Sequence, residues 1–320
     1  MSIRRMAIGA GVILALVIGA APVGAALPGF AWPVQSEGNR GSDVLAIQSL
    51  LRGHGIGVRY DGLFSANTTA GVRSFQGQVG LRASGIVDHT TWARLVTRVG
   101  PGARGEAVLT LQRQLNAKRS AGLATTGVYD APTTNAVRTL ERHVGLSQDG
   151  IADATLWRYL IAHFGLPSFS SSGLCDYSVG NGPANWGTGA AIGQVVAAGR
   201  TAAGAGYGGL ALGDIGHEHG GDIAGHTSHE VGLDVDVRPI RDHRNQCLWG
   251  TNWRSASYDR TSTRELVKAI RAAAAGHVKL IYFNDPVLIR EGWTSWYPGH
   301  DDHLHVRYCE VALALAAYRC

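Results

Sequence analysis

Residues 225–237 read Gly-His-Thr-Ser-His-Glu-Val-Gly-Leu-Asp-Val-Asp-Val, and polar and apolar side chains alternate toward the end of this stretch. From Glu230 to Val237 the alternation predicts a β-strand, because successive side chains of a strand point to opposite faces. One face of that strand carries aliphatic side chains and the other carries carboxylates, namely Leu233, Val235 and Val237 against Asp234 and Asp236.

A second segment, His303-Leu-His-Val-Arg-Tyr308, alternates in the same way. A strand there places His303 and His305 on one face, about 6–7 Å apart along the chain. A histidine before one strand, an aspartate within it and a His-x-His pair on a neighbour suffice for three metal ligands. Three protein ligands leave a fourth position open for water, as catalytic zinc requires. The residue types suit zinc, although copper, iron or manganese also accept imidazole and carboxylate.

Residues 33–165 contain one unit twice, with an offset of 64 to 65 residues between equivalent positions, which indicates a duplicated small domain. Helical spacing of apolar residues predicts three short helices in each unit, the last one capped by Asp88 or Asp153. The repeated motifs are Gly41-Ser-Asp-Val-Leu45 with Gly105-Glu-Ala-Val-Leu109, Asp61-Gly-Leu-Phe64 with Thr126-Gly-Val-Tyr129, and Trp92 with Trp157.

The first 25 residues have the features of a secretory signal peptide. Arg4 and Arg5 precede an uncharged apolar stretch over residues 6–21, and small residues follow at 23–25. An uncleaved membrane anchor is the alternative, and both place the rest of the chain outside the cytoplasm, secreted, periplasmic or associated with the cell wall. In an oxidising compartment the four cysteines are expected to form two disulfides, with three possible pairings.

The chain has 320 residues and a formal net charge of +5, which favours contact with anionic wall polymers or membrane surfaces. The sequence contains no recognisable motif for nucleic-acid recognition, and secretion also argues against that function. No protein partner is identifiable from the sequence.

The two repeats resemble the peptidoglycan-binding domain type 1, a three-helix module of wall hydrolases. The segment from His226 to Asp236, together with His303-Leu-His305, resembles penicillin-insensitive murein endopeptidase, one of the LAS metallopeptidases. That group also includes D-Ala-D-Ala carboxypeptidases and the hedgehog fold. The resemblance implies two all-α modules followed by an α+β zinc peptidase domain with a central antiparallel sheet.

The endopeptidase resemblance also implies a role for each site residue. It assigns one Zn²⁺ to His229, Asp236 and His305. His303 and His300 become the catalytic candidates, with His303 as the base or transition-state stabiliser, or alternatively as a residue that only orients a ligand. His226 is expected to line the site. Independently of the resemblance, three aromatic residues near His300 are expected to form the floor of the substrate groove: Trp293, Trp296 and Tyr297.

We expect the chain to divide into a signal peptide at 1–25, binding repeats at 33–99 and 100–165, a linker at 166–174 and the peptidase at 175–320. The predicted function is cleavage of peptide cross-links in peptidoglycan, the expected binding partner. Two alternatives remain at this point: a D,D- or L,D-carboxypeptidase that trims stem peptides, and a non-catalytic wall-binding protein with a structural metal site.

Overall fold

The computed structural model describes residues 31–170, 173–178, 184–313 and 315–320. The predicted signal peptide at 1–25 lies outside these residues. Among the described residues, no helix has the length and apolar character needed to cross a membrane.

Each repeat folds into three helices, as the sequence predicts. The first repeat contains α1 (Ser42–Gly53), α2 (Ala66–Gln78) and α3 (His89–Leu95), and the second contains α4 (Glu106–Arg119), α5 (Ala131–His143) and α6 (Ala154–Ala162).

Equivalent side chains stabilise the two repeats in equivalent ways. Trp92 and Trp157 are fully buried, and their indole N–H groups donate to Pro33 O at 2.8 Å and Thr97 O at 2.9 Å. The predicted helix caps are confirmed, since Asp88 and Asp153 accept from the third backbone N–H beyond them. Such a cap contributes about 1 kcal/mol by pairing an N–H that the helix leaves unbonded.

The repeats pack against each other through α1 and α4, around a buried ion pair. Lys118 Nζ lies 2.7 Å from Asp43 Oδ1, and each side chain is only 1% exposed. Asp43 stands in the first turn of α1, where the helix dipole also favours a negative charge. Asp43 therefore joins the repeats, since Lys118 is the opposite charge that its buried carboxylate requires.

The C-terminal domain is built around one five-stranded sheet with the strand order β1-β2-β3-β5-β4. Its elements in chain order are β1 (Leu174–Asp176), α7 (Gly189–Gly204), β2 (Leu210–Leu212), β3 (Asp234–Val237), α8 (Arg260–Ala273), β4 (Val278–Tyr282), α9 (Pro286–Arg290), β5 (Leu304–Tyr308) and a short 3-10 helix (Ala316–Tyr318).

This sheet is mixed, whereas the resemblance implied an antiparallel one. The β2–β3, β3–β5 and β5–β4 pairs are antiparallel, but β1 and β2 are parallel. The helix α7 connects β1 to β2, and a crossover of this kind returns the chain in its original direction. The antiparallel prediction is therefore correct for the centre of the sheet and wrong at the β1 edge.

The strand predicted at 230–237 begins only at Asp234. His229 has φ 76° and Gly232 has φ 64°, so the chain turns before it extends. Within β3 the predicted alternation holds: Val235 and Val237 join the core formed with α8, and the two aspartates point to the other face. The second predicted strand likewise begins one residue late, at Leu304.

Two disulfides close the C-terminal domain, and they select one of the three possible pairings. Cys175 in β1 is joined to Cys247, and Cys309 after β5 is joined to Cys320 at the end of the chain. The second bond returns the C-terminal segment to the sheet and keeps Tyr318 beside it.

The first repeat docks directly on the C-terminal domain. A Cβ added to Gly193 of α7 would lie 2.4 Å from the Cα of Gly41, so the two backbones touch at a point where only glycine fits. Arg40 Nε donates to Ala273 O at 2.8 Å, and His277 Nε2 lies 3.0 Å from Glu37 O. The first repeat and the C-terminal domain are therefore in direct backbone contact and share side-chain hydrogen bonds.

Candidate metal centre

The pairing of β3 with β5 brings two of the predicted ligands together. The register places Asp236 directly opposite His305, and both side chains leave the sheet on the face away from α8. The turn before β3 then carries His229 over the same point. Its left-handed backbone is uncommon for a non-glycine residue, and strain of this kind often occurs where a side chain must be aimed.

Three polar atoms converge at this point. His229 Nε2 lies 3.2 Å from His305 Nδ1, His305 Nδ1 lies 3.1 Å from Asp236 Oδ1, and Asp236 Oδ1 lies 3.4 Å from His229 Nε2. Two zinc ligands at bond lengths of about 2.0–2.1 Å in a tetrahedron are about 3.3–3.4 Å apart. The three atoms therefore have the separations of zinc ligands before any ion is added.

The hydrogen bonds on the far side of each imidazole favour the tautomer that a metal requires. His229 Nδ1 lies 3.2 Å from Ile215 O, and His305 Nε2 lies 2.9 Å from Asp234 Oδ1. Both of those partners are acceptors, so each ring donates its N–H outward. Once His305 gives up its second proton, both rings present a lone pair inward, beside the Asp236 carboxylate, and this arrangement is typical of histidines that bind a metal.

The electrostatics of the cluster favour a positive charge at its centre. Burial opposes ionisation of His305, but hydrogen bonds to Asp234 and Asp236 outweigh it and raise the pKa of His305 to about 9. Burial likewise opposes the charge on Asp236, yet hydrogen bonds to His229 and His305 leave its pKa well below the usual range. The same field that attracts a proton attracts a divalent cation.

A second combination of side chains also meets at this place. His226, His229 and Asp236 each offer a ligand atom within 4.8 Å of the others. His226 Nδ1, however, lies 3.8 Å from Asp236 Oδ2, and its other nitrogen lies 3.1 Å from Asp214 Oδ2. The contacts of His305 with the shared ligands are shorter, at 3.1 and 3.2 Å, and therefore favour His305 as the third ligand.

His303 and His300 lie next to the three-ligand cluster. His303 Nε2 is 3.9 Å from Asp236 Oδ1, while its Nδ1 contacts Asp302 Oδ1 at 2.9 Å. Burial opposes the charged form of His303, but these carboxylates outweigh it and raise its pKa. The His300 ring lies 4.7 Å from that of His303, and burial lowers the pKa of His300.

Two cavities border the cluster, and both are lined by His226 and His303. The larger cavity has a volume of about 570 Å³ and is also lined by Tyr282, Tyr297 and His300. The smaller cavity has a volume of about 270 Å³ and is also lined by Tyr177. His226 thus lies where substrate contact was predicted.

The two tryptophans predicted to line the groove are not among the lining residues of either cavity. Trp293 packs against the core, with Lys268 Nζ 5.5 Å above its ring, and Trp296 is 64% exposed. Tyr297, the third aromatic residue predicted there, does line the larger cavity, and it stacks on Tyr282 with 4.7 Å between their ring centroids.

Asp234, which the sequence pattern placed only on the polar face of the strand, organises the back of the site. Its buried carboxylate also accepts hydrogen bonds from Arg307 and Tyr318, the latter 84 residues further along the chain. Arg307 lies two residues beyond His305 on the same face of β5. This spacing in the sequence would have been enough to predict Arg307 as a neighbour of the site. Nothing in the sequence pattern pointed to Tyr318.

Comparison with known protein families resolves the domain composition. The model of a putative peptidoglycan-binding domain matches residues 40–95 and 104–160, and the model of penicillin-insensitive murein endopeptidase matches residues 181–281. The chain carries two peptidoglycan-binding domains followed by a murein endopeptidase domain. The endopeptidase match includes His226, His229 and Asp236, whereas His303 and His305 lie beyond its end.

Among solved structures, the chain is similar to a peptidoglycan-binding protein from Clostridioides difficile in complex with glutamine hydroxamate. The two are 39% identical, with a TM-score of 0.20, over 20% of this chain and 40% of that protein. The chain thus spans less than half of that relative's length. No curated protein matches it.

Proposed function

We propose that this protein is a zinc-dependent endopeptidase that cleaves peptide cross-links of peptidoglycan. The observation that carries the proposal is the convergence of two imidazole nitrogens and one carboxylate oxygen, 3.1–3.4 Å apart, beside a cavity of the endopeptidase domain. The ligands would be His229, Asp236 and His305.

Zinc bound to three protein ligands supplies a water of lowered pKa and a Lewis acid for the scissile carbonyl. The residues around the ligands then orient the ligands and move protons. Asp234 and the Ile215 carbonyl hold the two imidazoles in position, and Asp214 holds His226 at the point where the cavities meet.

His303 is the proposed proton carrier. Its Nε2 points toward the ligand cluster, its Nδ1 is held by Asp302, and its side chain is 25% exposed at the cavity wall. An imidazole in this position is suited to accept a proton from the nucleophile and to deliver it to the leaving amine. His300, whose pKa is lowered, is suited to contact the substrate as a neutral ring.

The position of the cavities favours an endopeptidase over a carboxypeptidase. His226 and His303 border both cavities, so there is space on two sides of the candidate ligands. A cross-linked substrate continues as a peptide beyond both ends of the scissile bond and needs that space. A carboxypeptidase needs it on one side only.

The two repeats would hold the enzyme on the wall and raise the local concentration of cross-links. A net charge of +5 would add attraction to anionic wall polymers. Two disulfides suit an extracytoplasmic location, in agreement with the predicted signal peptide.

The test is digestion of purified sacculi, followed by mass analysis of the released muropeptides. Wild type is compared with His305→Ala and with His243→Ala, which removes a 78% exposed histidine outside the cluster. Wild type and His243→Ala should convert cross-linked dimers to monomers, and His305→Ala should not.

Two other results would redirect the assignment. Dimers that persist while stem peptides lose a terminal residue would indicate a carboxypeptidase. Dimers and stems that both remain intact, with zinc bound to wild type, would contradict any peptidase activity on this substrate.

A further inference from the structure

A second group of metal-ligating side chains lies where the second repeat meets the endopeptidase domain. His143 ends α5 and His163 follows α6, whereas Glu218 and His219 belong to the loop between β2 and β3. The three imidazole centroids are 5.0–5.7 Å apart. None of these residues belongs to the candidate metal centre described above. We call this group the interdomain cluster.

The imidazoles of the interdomain cluster face one carboxylate. The Nε2 atoms of His143 and His163 each lie 3.5 Å from Glu218 Oε1, and His219 Nε2 lies 3.9 Å from Glu218 Oε2. One ligand atom from each histidine also lies within 4.8 Å of the other two. Zinc ligands are about 3.3–3.4 Å apart, so small side-chain rotations would complete a tetrahedral set of three nitrogens and one oxygen.

The protonation states of the interdomain cluster suit metal binding. His163 Nδ1 donates to Phe164 O at 2.7 Å, which leaves its Nε2 with a lone pair. Burial lowers the pKa of His163 to about 4 and also lowers that of His143. Burial opposes the charge on Glu218, but Arg119 outweighs it and lowers the pKa of that carboxyl. At neutral pH two of the imidazoles, His143 and His163, are thus neutral, and Glu218 is an anion.

Arg119 at the end of α4 supplies a positive charge to the interdomain cluster. Its guanidinium contacts the Glu218 carboxylate and lies 3.1 Å from His163 Nε2. The Arg119 side chain is 21% exposed, so it borders solvent. A metal ion and Arg119 would therefore compete for the same carboxylate.

We propose that His143, His163, Glu218 and His219 form a second divalent-metal site, with zinc as the ion that best suits three imidazoles and a carboxylate. The site ties the second peptidoglycan-binding domain to the loop that continues to His226 and His229. An ion bound there would fix the wall-binding repeat relative to the segment that carries the catalytic ligands.

The experiment counts zinc bound per chain, using the untagged full chain stripped with a chelator and dialysed against zinc alone. His143→Ala/His219→Ala should bind one zinc fewer than wild type. The matched control, His89→Ala/His243→Ala, removes two exposed histidines outside both groups and should bind as many as wild type. Arg119→Gln should bind the second ion more tightly, because the competing cation is gone.

A second set of variants, which lacks the candidate catalytic ligands, tests the second site independently of the proposed function. His229→Ala/His305→Ala removes ligands of the candidate catalytic centre and should retain one zinc, which the additional change of His143 and His219 should abolish. Equal zinc content in wild type and a folded His143→Ala/His219→Ala variant, judged by circular dichroism, overturns the second site. Sacculus digestion does not enter this comparison.

Discussion

Asp234→Asn tests whether the buried carboxylate behind His305 is what prepares that ring to bind a metal. Asp234 is fully buried and accepts from His305 Nε2 at 2.9 Å, Arg307 Nε at 2.7 Å and the Tyr318 hydroxyl. Asparagine is neutral and turns one acceptor into a donor. The same side chain also accepts a hydrogen bond from the backbone N–H of His229. At least one of these four donors is then left without an acceptor.

Two separate losses are expected from this substitution. Loss of a group that orients a metal-bound histidine reduces metal affinity by about 10–100-fold, which equals about 1.4–2.7 kcal/mol. The zinc-free protein also loses stability, because Arg307 keeps its charge without a partner. Breaking a buried pair from one side costs about 3–5 kcal/mol, and we expect about 3 because the Arg307 side chain is 16% exposed.

The assays are zinc competition against a chromogenic chelator and urea unfolding of the zinc-free protein. Tyr318→Phe is the matched control, since it removes one donor to Asp234 and leaves the carboxylate and His305 in place. It should cost about 1 kcal/mol of stability and change zinc affinity by less than about threefold. Wild-type zinc affinity in Asp234→Asn, or an equal loss in Tyr318→Phe, would refute the reasoning.

Three further predictions concern stability. Lys118→Met should destabilise the protein by about 3–5 kcal/mol in urea unfolding, because Asp43 would stay buried without a counter-charge, and Asp43→Leu added to it should restore most of the loss. Burial raises the pKa of Glu310 from 4.5 to about 7. The folded state thus keeps a proton that the unfolded chain releases, and the stability from this group should fall as pH rises from about 4.5 through 7. Glu310→Gln should show a smaller fall over that range than wild type, and identical profiles would contradict this. Replacing Cys309 and Cys320 with serine should lower the free energy of unfolding by about 3 kcal/mol, since the bond closes a loop with a sequence separation of 11, and an unchanged midpoint would argue against this.

Local pattern was sufficient to predict much of this protein. The duplication, the three helices of each repeat and the caps at Asp88 and Asp153 all follow from periodicity and from side chains that bond their own backbone. The alternation around Asp236 and His305 likewise indicated which side chains share a face. These predictions depend on neighbours within a few residues, where chain geometry leaves few options.

Alternation could not supply the register between strands. The pairing of Asp236 with His305, and not with a neighbouring residue, results from how β3 and β5 align once their apolar faces are buried against α8. The parallel pairing of β1 with β2 is also set by tertiary packing, because it depends on where α7 packs.

The sequence by itself determined the two binding repeats, the disulfide-forming capacity of the cysteines and the residues from which a metal site would be built. Tertiary structure alone decided that Tyr318 supports Asp234 and that His143 and His163 meet His219. These contacts join segments far apart in the chain. Their positions depend on the packing of whole domains, which the local periodicity of a sequence does not predict.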